Sequence, residues 1–277
     1  MTSQSHQPLR RAVIVGVSGR MGSALLRVAP GFPQLIVTGA IASPESLALG
    51  RDAGEVAGTG RANLAVTSDL PRALAQADVV IDFSHSAAVA GTVAACRAAR
   101  KPLLLGTTGF DETLEGELDA AARDIALLVA ANTSLGAAVL VELVRTAAGS
   151  LPASFDIDVL DLHHRMKQDA PSGTALALGM AAAEARGLDL PAPPARSAGR
   201  SGPRGEGEIG FAALRAGDLI GEHSVLFTGM GEELVLTHRA RDRAVFAKGA
   251  LAAALWLASR PPGRYGMRDF LAIKTGA

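Results

Sequence analysis

The chain has 277 residues and a mass of 28.2 kDa, long enough for two modest domains or one large α/β unit with a real core. Hydrophobic residues make up 48% and charged residues 19%, which excludes a disordered chain, while 4% aromatics leave little surface for stacking single-stranded nucleic acid. Lys+Arg and Asp+Glu are equal at 27 each, so no net field draws the chain to nucleic acid or to an anionic membrane, and neither is expected as a partner.

The N-terminus, MTSQSHQPLRR, has no apolar core of the kind that marks a secretory signal. Arg11–Val15 is a β-branched apolar run that stops at Gly16, the pattern of a buried strand. Gly16 to Gly22 (GVSGRMG) then reads as a tight turn opening a helix that runs from Ser23 to Ala29. Further strands are predicted at Leu35–Ile41, Asp78–Phe83, Pro102–Leu105 and Ile125–Ala130, with Ala-rich helical stretches between them. Cys96, in one of those stretches, stands alone: it can form neither an internal disulfide nor a cysteine zinc site, as suits a reducing cytoplasm, the expected location. Strands alternating with helices imply right-handed βαβ crossovers, hence α/β class with a Rossmann-like, doubly wound parallel sheet.

After about Ala131 the pattern changes. A helix is predicted over Gly136–Ala148, and Phe155–Asp161 alternates with period two. Glu208–Arg215, Ser224–Thr228 and Leu234–His238 are short and alternating, with Gly-rich turns between them, which predicts antiparallel sheet and a second domain. Between them Pro191–Gly207 holds four Pro and four Gly, the composition of a lid or of a disordered connector. Its Arg196, Arg200 and Arg204 suit a lid closing on an anion. Ala244–Ala258 is an apolar helix with Trp256; its longest apolar run, Ala250–Ala258, is far short of the roughly 20 residues that span a bilayer. The tail beyond is polar with little pattern.

Glycines let a Rossmann turn approach a pyrophosphate, and the helix N-terminus behind it offers free N–H groups. The spacing here is Gly16-x-x-Gly19-x-x-Gly22 rather than G-x-G-x-x-G, so alone it fits a bare strand-to-helix turn as well as a cofactor site. Its place after the first strand of a βαβ series favours the cofactor. The carboxylate expected about 20 residues on, which binds a ribose 2′-OH, is absent: the second strand ends Ala42-Ser43-Pro44. Arg20, inside the turn, either faces a 2′-phosphate or sits in solvent.

The strand Phe155–Asp161 runs into Leu162-His-His-Arg-Met-Lys-Gln-Asp-Ala-Pro-Ser-Gly-Thr174. Histidine titrates near neutral pH, as a proton donor in a reductase must, and Lys can take part in proton chemistry as Arg cannot. Pro171-Ser-Gly-Thr174 reads as a helix start whose N–H groups bind a carboxylate beside the cations. A solvated basic loop is the plainer alternative. Metal binding is not expected, because His163 and His164 are adjacent and no Cys or acidic partner stands at ligand spacing.

Taken together these segments resemble the 4-hydroxy-tetrahydrodipicolinate reductase (dihydrodipicolinate reductase) family of diaminopimelate and lysine biosynthesis. GVSGRMG resembles its dinucleotide turn, Gly106-Thr-Thr-Gly-Phe110 its loop beside the nicotinamide, and Ala130-Ala-Asn-Thr-Ser134 its second cofactor segment. His163-His-Arg-Met-Lys167 with Asp169-Ala-Pro-Ser-Gly-Thr174 is similar to its active-site signature, and Gly221-Glu-His-Ser224 and Thr237-His-Arg239 to later landmarks. The resemblance implies NADPH and/or NADH held by Gly16, Val17, Ser18, Gly19, Arg20, Met21, Gly106, Thr107, Thr108, Ala130, Ala131, Asn132 and Thr133. It implies His163 and Lys167 as catalytic proton donors, and a small dicarboxylate substrate held by His164, Gly173 and Thr174. It also implies a dinucleotide-binding domain over 1–133, a mixed-sheet α+β domain for substrate binding and oligomerisation over 134–242, a returning segment over 243–277, and a homotetramer. Two departures bear on cofactor choice: Ala42-Ser43 stand where many members carry an acid and an Arg, and Thr133 replaces a common Phe. Another two-domain reductase, or a non-catalytic NAD(P)-sensing protein, would share the turn without needing the signature segment.

Overall fold

The computed structural model describes residues 8–107, 110–189, 204–205 and 207–272. In chain order its principal elements are β1 (Arg10–Val15), α1 (Arg20–Val28), β2 (Leu35–Ile41), α2 (Ala53–Ala57), β3 (Val66–Thr67), α3 (Leu70–Leu74), β4 (Val79–Asp82), α4 (Ser86–Ala98), β5 (Leu103–Leu105), α5 (Glu112–Ala122) and β6 (Ala126–Val129). They continue with α6 (Leu135–Ser150), β7 (Asp156–His163), α7 (Gly173–Ala185), β8 (Ile209–Arg215), β9 (Gly221–Gly229), β10 (Glu232–Ala240), α8 (Ala244–Leu257), β11 (Gly263–Tyr265) and α9 (Met267–Phe270). Two units emerge, Met1–Ser134 with Ala244–Ala277, and Leu135–Arg243. Among the described residues no helix is long and apolar enough to cross a membrane.

The first unit is built on a seven-stranded sheet, β11-β6-β5-β4-β1-β2-β3, in which every neighbouring pair is parallel. Ala12 to Val15 of β1 and all of β5 are buried on both faces, as strands sandwiched between helices must be. The strand order reverses between β1 and β4, and in a doubly wound sheet the crevice that takes ligands opens at the C-terminal ends of the strands there. α2, α3 and α5 each start at an aspartate, Asp52, Asp69 or Asp111, whose side chain accepts amide N–H groups of the first turn. α1 starts at Gly19, with no side chain to do so.

The tail departs from expectation. It carries β11, which extends the sheet parallel to β6, and α9. Trp256 of α8 meets Tyr265 edge-on at 5.4 Å and Phe270 at 5.9 Å, with the Arg260 guanidinium 4.8 Å above its ring. This aromatic cluster folds the polar tail back onto α8, which a search for periodic apolar residues cannot see.

The second unit has a four-stranded sheet ordered β10-β9-β7-β8. β9 runs antiparallel to β7 and β10, as expected, but β8 pairs parallel to β7. The correction has a simple cause: α7 lies between β7 and β8 in the chain and carries it back to the starting end. One face, with Ile157, Val159, Phe211, Val225 and Phe227, is buried under Leu140 and Val144 of α6 and Leu178 and Ala182 of α7. Among the described residues the opposite face is open, with Leu160, Leu162 and Leu226 half-buried and Leu214 and Val235 58% and 45% exposed. Most of the proposed lid, Arg196 and Arg200 included, lies outside the described residues. Arg204 pairs with Asp158 at 2.8 Å and donates to the Ile157 carbonyl at 2.7 Å, at the start of β7.

Candidate active site

In the first unit the glycine turn is shaped by contacts that exclude a side chain. Gly16 has φ +82°, and a Cβ there would lie 2.7 Å from the Phe83 carbonyl oxygen. A Cβ on Gly22 would lie 2.3 Å from the Gly16 carbonyl oxygen, so helix α1 sits hard against the turn. With Gly19 as a bare cap, the first amides of α1, from Arg20 to Gly22, keep N–H groups without helical acceptors at the positive end of the dipole. Val17 is fully buried and offers its main chain only, Met21 is half-buried, and Ser18 and Arg20 are exposed. Beside the turn, a Cβ on Gly106 would fall 2.0 Å from the Phe83 ring, and the Thr107 hydroxyl donates to the Ser84 carbonyl at 3.1 Å. Thr108 lies outside the described residues. Ala130 is buried, Ala131 is exposed, and the Asn132 side chain accepts the Ser134 amide at 2.8 Å. Thr133 is buried and its hydroxyl donates to the Phe246 carbonyl at 2.7 Å, so its side chain faces α8. These three segments follow β1, β5 and β6, and the amides at the start of α1, with the glycines that bare the backbone beside them, fit the phosphates of a nicotinamide dinucleotide. Beyond β2, Ala42 is buried and Ser43 exposed, with no carboxylate at that strand end.

In the second unit β7 alternates Ile157, Val159, Asp161 and His163 on its covered face, so the apolar core side ends in a carboxylate and an imidazole. Asp161 lies opposite His223 on β9, and His163 beside Arg215 on β8. Asp161 Oδ1 is 2.8 Å from His163 Nδ1 and 3.5 Å from His223 Nε2. Asp161 Oδ2 accepts from the Ser172 amide at 2.8 Å and from Arg215 Nη2 at 2.9 Å. Burial works against this carboxylate, yet His163, Arg215 and the Ser172 amide outweigh it and hold the group well below the usual carboxylate range. Burial, with the charge of His163 beside it, pushes the His223 imidazole down to about 4.

Ser172 caps α7, its hydroxyl accepting the Ala175 amide at 3.3 Å and lying 3.1 Å from His223 Nε2. The helix predicted after Pro171 therefore forms, with Gly173 and buried Thr174 at its first positions. His164 is half-buried, and Lys167 pairs with Asp169 at 2.8 Å. The claim that no acidic partner stands at ligand spacing is overturned: single donor atoms of Asp161, His163 and His223 lie within 4.8 Å of one another. The Arg215 cation on the same carboxylate opposes adding a dication there.

Residues 10–133 match the family profile described as dihydrodipicolinate reductase, N-terminus, and residues 136–271 match its C-terminus counterpart. The chain belongs to the dihydrodipicolinate reductase family. Its relatives include the 4-hydroxy-tetrahydrodipicolinate reductases of Alkalilimnicola ehrlichii, 47% identical over 95% of this chain and 99% of the relative, and of Ruegeria pomeroyi, 48% identical over 94% and 97%. The fold is shared with a dipicolinate-bound dihydrodipicolinate reductase from Paenisporosarcina sp. TG-14, at TM-score 0.72 and 22% identity, over 94% of this chain and 99% of that one. Membership makes the chain an oxidoreductase that uses a nicotinamide cofactor.

Sequence reasoning missed residues that this family member places around its signature segment: Asp161, Ser172, Arg215 and His223. One signal was available. Period-two alternation already put Asp161 on the same face as His163 and Val159, and a carboxylate on a core face demands partners. Phe83 and Ser84, which floor the glycine turn, gave no signal, because they act through a ring edge and main-chain carbonyls.

Proposed function

We propose that the chain reduces 4-hydroxy-tetrahydrodipicolinate to tetrahydrodipicolinate in diaminopimelate and lysine biosynthesis. The observation that carries this reading is His163, a nearly buried imidazole held against Asp161 at the end of β7, with Lys167 four residues on and the first amides of α7 close in sequence. Loss of water from the hydroxy ring leaves a C=C conjugated with the ring C=N. A nicotinamide cofactor held by the glycine turn supplies the hydride. The electron pair that hydride addition leaves on the ring is quenched by a proton from His163 or Lys167. The Gly173 and Thr174 amides and His164 hold a substrate carboxylate, and Lys167 exchanges Asp169 for it, which stabilises the charge developing on the ring. A coupled assay, in which a dihydrodipicolinate synthase generates the substrate, should show substrate-dependent oxidation of NAD(P)H. Cofactor binding without turnover would leave a sensor or a solvated basic loop.

NADPH serves at least as well as NADH in this reading. A strict NAD site carries an acid at the end of strand two that repels a 2′-phosphate, and Ala42-Ser43 provide none. An exposed Arg20 adds a charge-assisted hydrogen bond to a 2′-phosphate worth about 1.5–3 kcal/mol, at least about tenfold in affinity. Arg20→Ala should then raise KM for NADPH and spare NADH; a clear wild-type preference for NADH would overturn this choice. The enzyme works in the cytoplasm as a homotetramer built through the sheet face of the second unit on which no described element covers Leu160, Leu162, Leu214, Leu226 and Val235.

A further inference from the structure

We propose that Asp161 is the positioning residue for His163: its carboxylate takes the imidazole Nδ1–H and so leaves Nε2 as the nitrogen offered to substrate. The inference rests on the reductase reading of the site and deepens it. The Asp161 side chain is 1% exposed, and its two oxygens are divided between different tasks. Oδ2 is taken by two donors, the Ser172 amide and Arg215. Oδ1 lies 2.8 Å from His163 Nδ1, an ion-pair contact whose angle is off the line of a good hydrogen bond, with His223 farther off at 3.5 Å. An ionised carboxylate has no hydrogen to give and repels a bare ring nitrogen at that distance, which favours the Nδ1–H tautomer of neutral His163.

On the other side of the ring a Cβ at residue 221 would stand 3.1 Å from His163 Nε2; glycine there keeps that nitrogen clear. The ring is also wedged by His223, edge-on at 5.1 Å between centroids and 67° between planes.

The charges around His163 are otherwise committed. Arg215 of β8 is bound to Asp161, Lys167 is bound to Asp169, and His223 of β9 and His238 of β10 are both held towards their neutral forms by burial. Among the described residues Asp161 is thus the anion in contact with His163. In Asp161→Asn the amide oxygen goes to Arg215 and the Ser172 amide, which need an acceptor. The amide NH2 then faces Nδ1, opposing both the correct tautomer and the imidazolium.

Kinetics and histidine NMR on D161N and D161E in the full-length enzyme test this. D161N should lose about 10²-fold or more in kcat with KM for the cofactor unchanged. The neutral His163 ring should switch tautomer, read from its nitrogen shifts. D161E, which restores the anion, should recover to within about tenfold of wild type. Should D161N fold poorly because Arg215 is stranded, D161N/R215Q removes charge and counter-charge together and should show the same switch of tautomer. An unchanged His163 tautomer in D161N, or kcat within about threefold of wild type, would overturn the proposal. So would a D161E loss equal to that of D161N with both tracking the folded fraction. If the tautomer switches as expected while the wild type fails to reduce the dicarboxylate, positioning stands and the reductase reading falls.

Discussion

His163 and Lys167 lie four residues apart but in opposite settings. The imidazole is nearly buried and braced by Asp161, whereas the Lys167 ammonium is on a loop with one carboxylate partner, Asp169. If both move protons, His163→Ala and Lys167→Ala should each lower kcat by on the order of 10²-fold. Cofactor affinity, measured by titration, should survive in both, because the glycine turn belongs to the other unit. Near-wild-type kcat in both variants would remove the assignment. His223 carries a separate prediction about stability. Its folded-state value near 4 lies below the ordinary histidine value of 6.5, so the unfolded chain binds the proton first as pH falls. Stability from this residue is whole above about 6.5 and drains away between there and about 4, by roughly 3 kcal/mol at about 1.4 kcal/mol per pH unit. Urea unfolding across that window should show a shallower pH slope for His223→Gln than for wild type; equal slopes would place the acid sensitivity elsewhere.

At the level of elements, the junction of β1 with α1 tolerates no added atom. Gly22→Ala drives a methyl into the Gly16 carbonyl and the Val17 backbone, so it should cost about 1–3 kcal/mol or more and weaken NADPH binding. Gly31→Ala, where a Cβ meets nothing within 4 Å, is the control and should leave both unchanged. A calorimetric titration showing wild-type affinity in Gly22→Ala would mean the turn does not cradle the cofactor. The same junction shows what was legible in the sequence. β2 forms over Leu35–Ile41 as predicted, and β1, β4, β5 and β6 fall within a residue or so of expectation, because strands buried on both faces read as unbroken apolar runs between helical stretches. β3 and β11, of two and three residues, are too short to show any period. The parallel pairing of β8 with β7 escaped because alternation tells which face a residue occupies, not which way its neighbour runs. In the site, residues with distinctive chemistry, His163 and Lys167, stood out in the string. Their supports did not: Arg215 and His223 reach Asp161 from strands more than fifty residues away, and only the register of β8 and β9 brings them there.

For the whole molecule, the proposed assembly rests on the sheet face of the second unit that no described element covers. An exposed Leu214 and Val235 flanking half-buried Leu160, Leu162 and Leu226 form an apolar surface that a second copy would cover. Light scattering should give about four times the 28.2 kDa chain mass, and Leu214→Glu with Val235→Glu should reduce it without unfolding the chain. A wild-type monomer would leave that face unexplained. The aromatic cluster of the returning segment has a different use. The chain has one Trp and one Tyr, and both sit there, in the first unit; the second unit has neither. Indole emission is therefore a reporter confined to the first unit, and the second unit is optically dark to it. Ellipticity follows both halves, so a denaturation followed in the two signals at once separates the melting of one half from that of the other without a label.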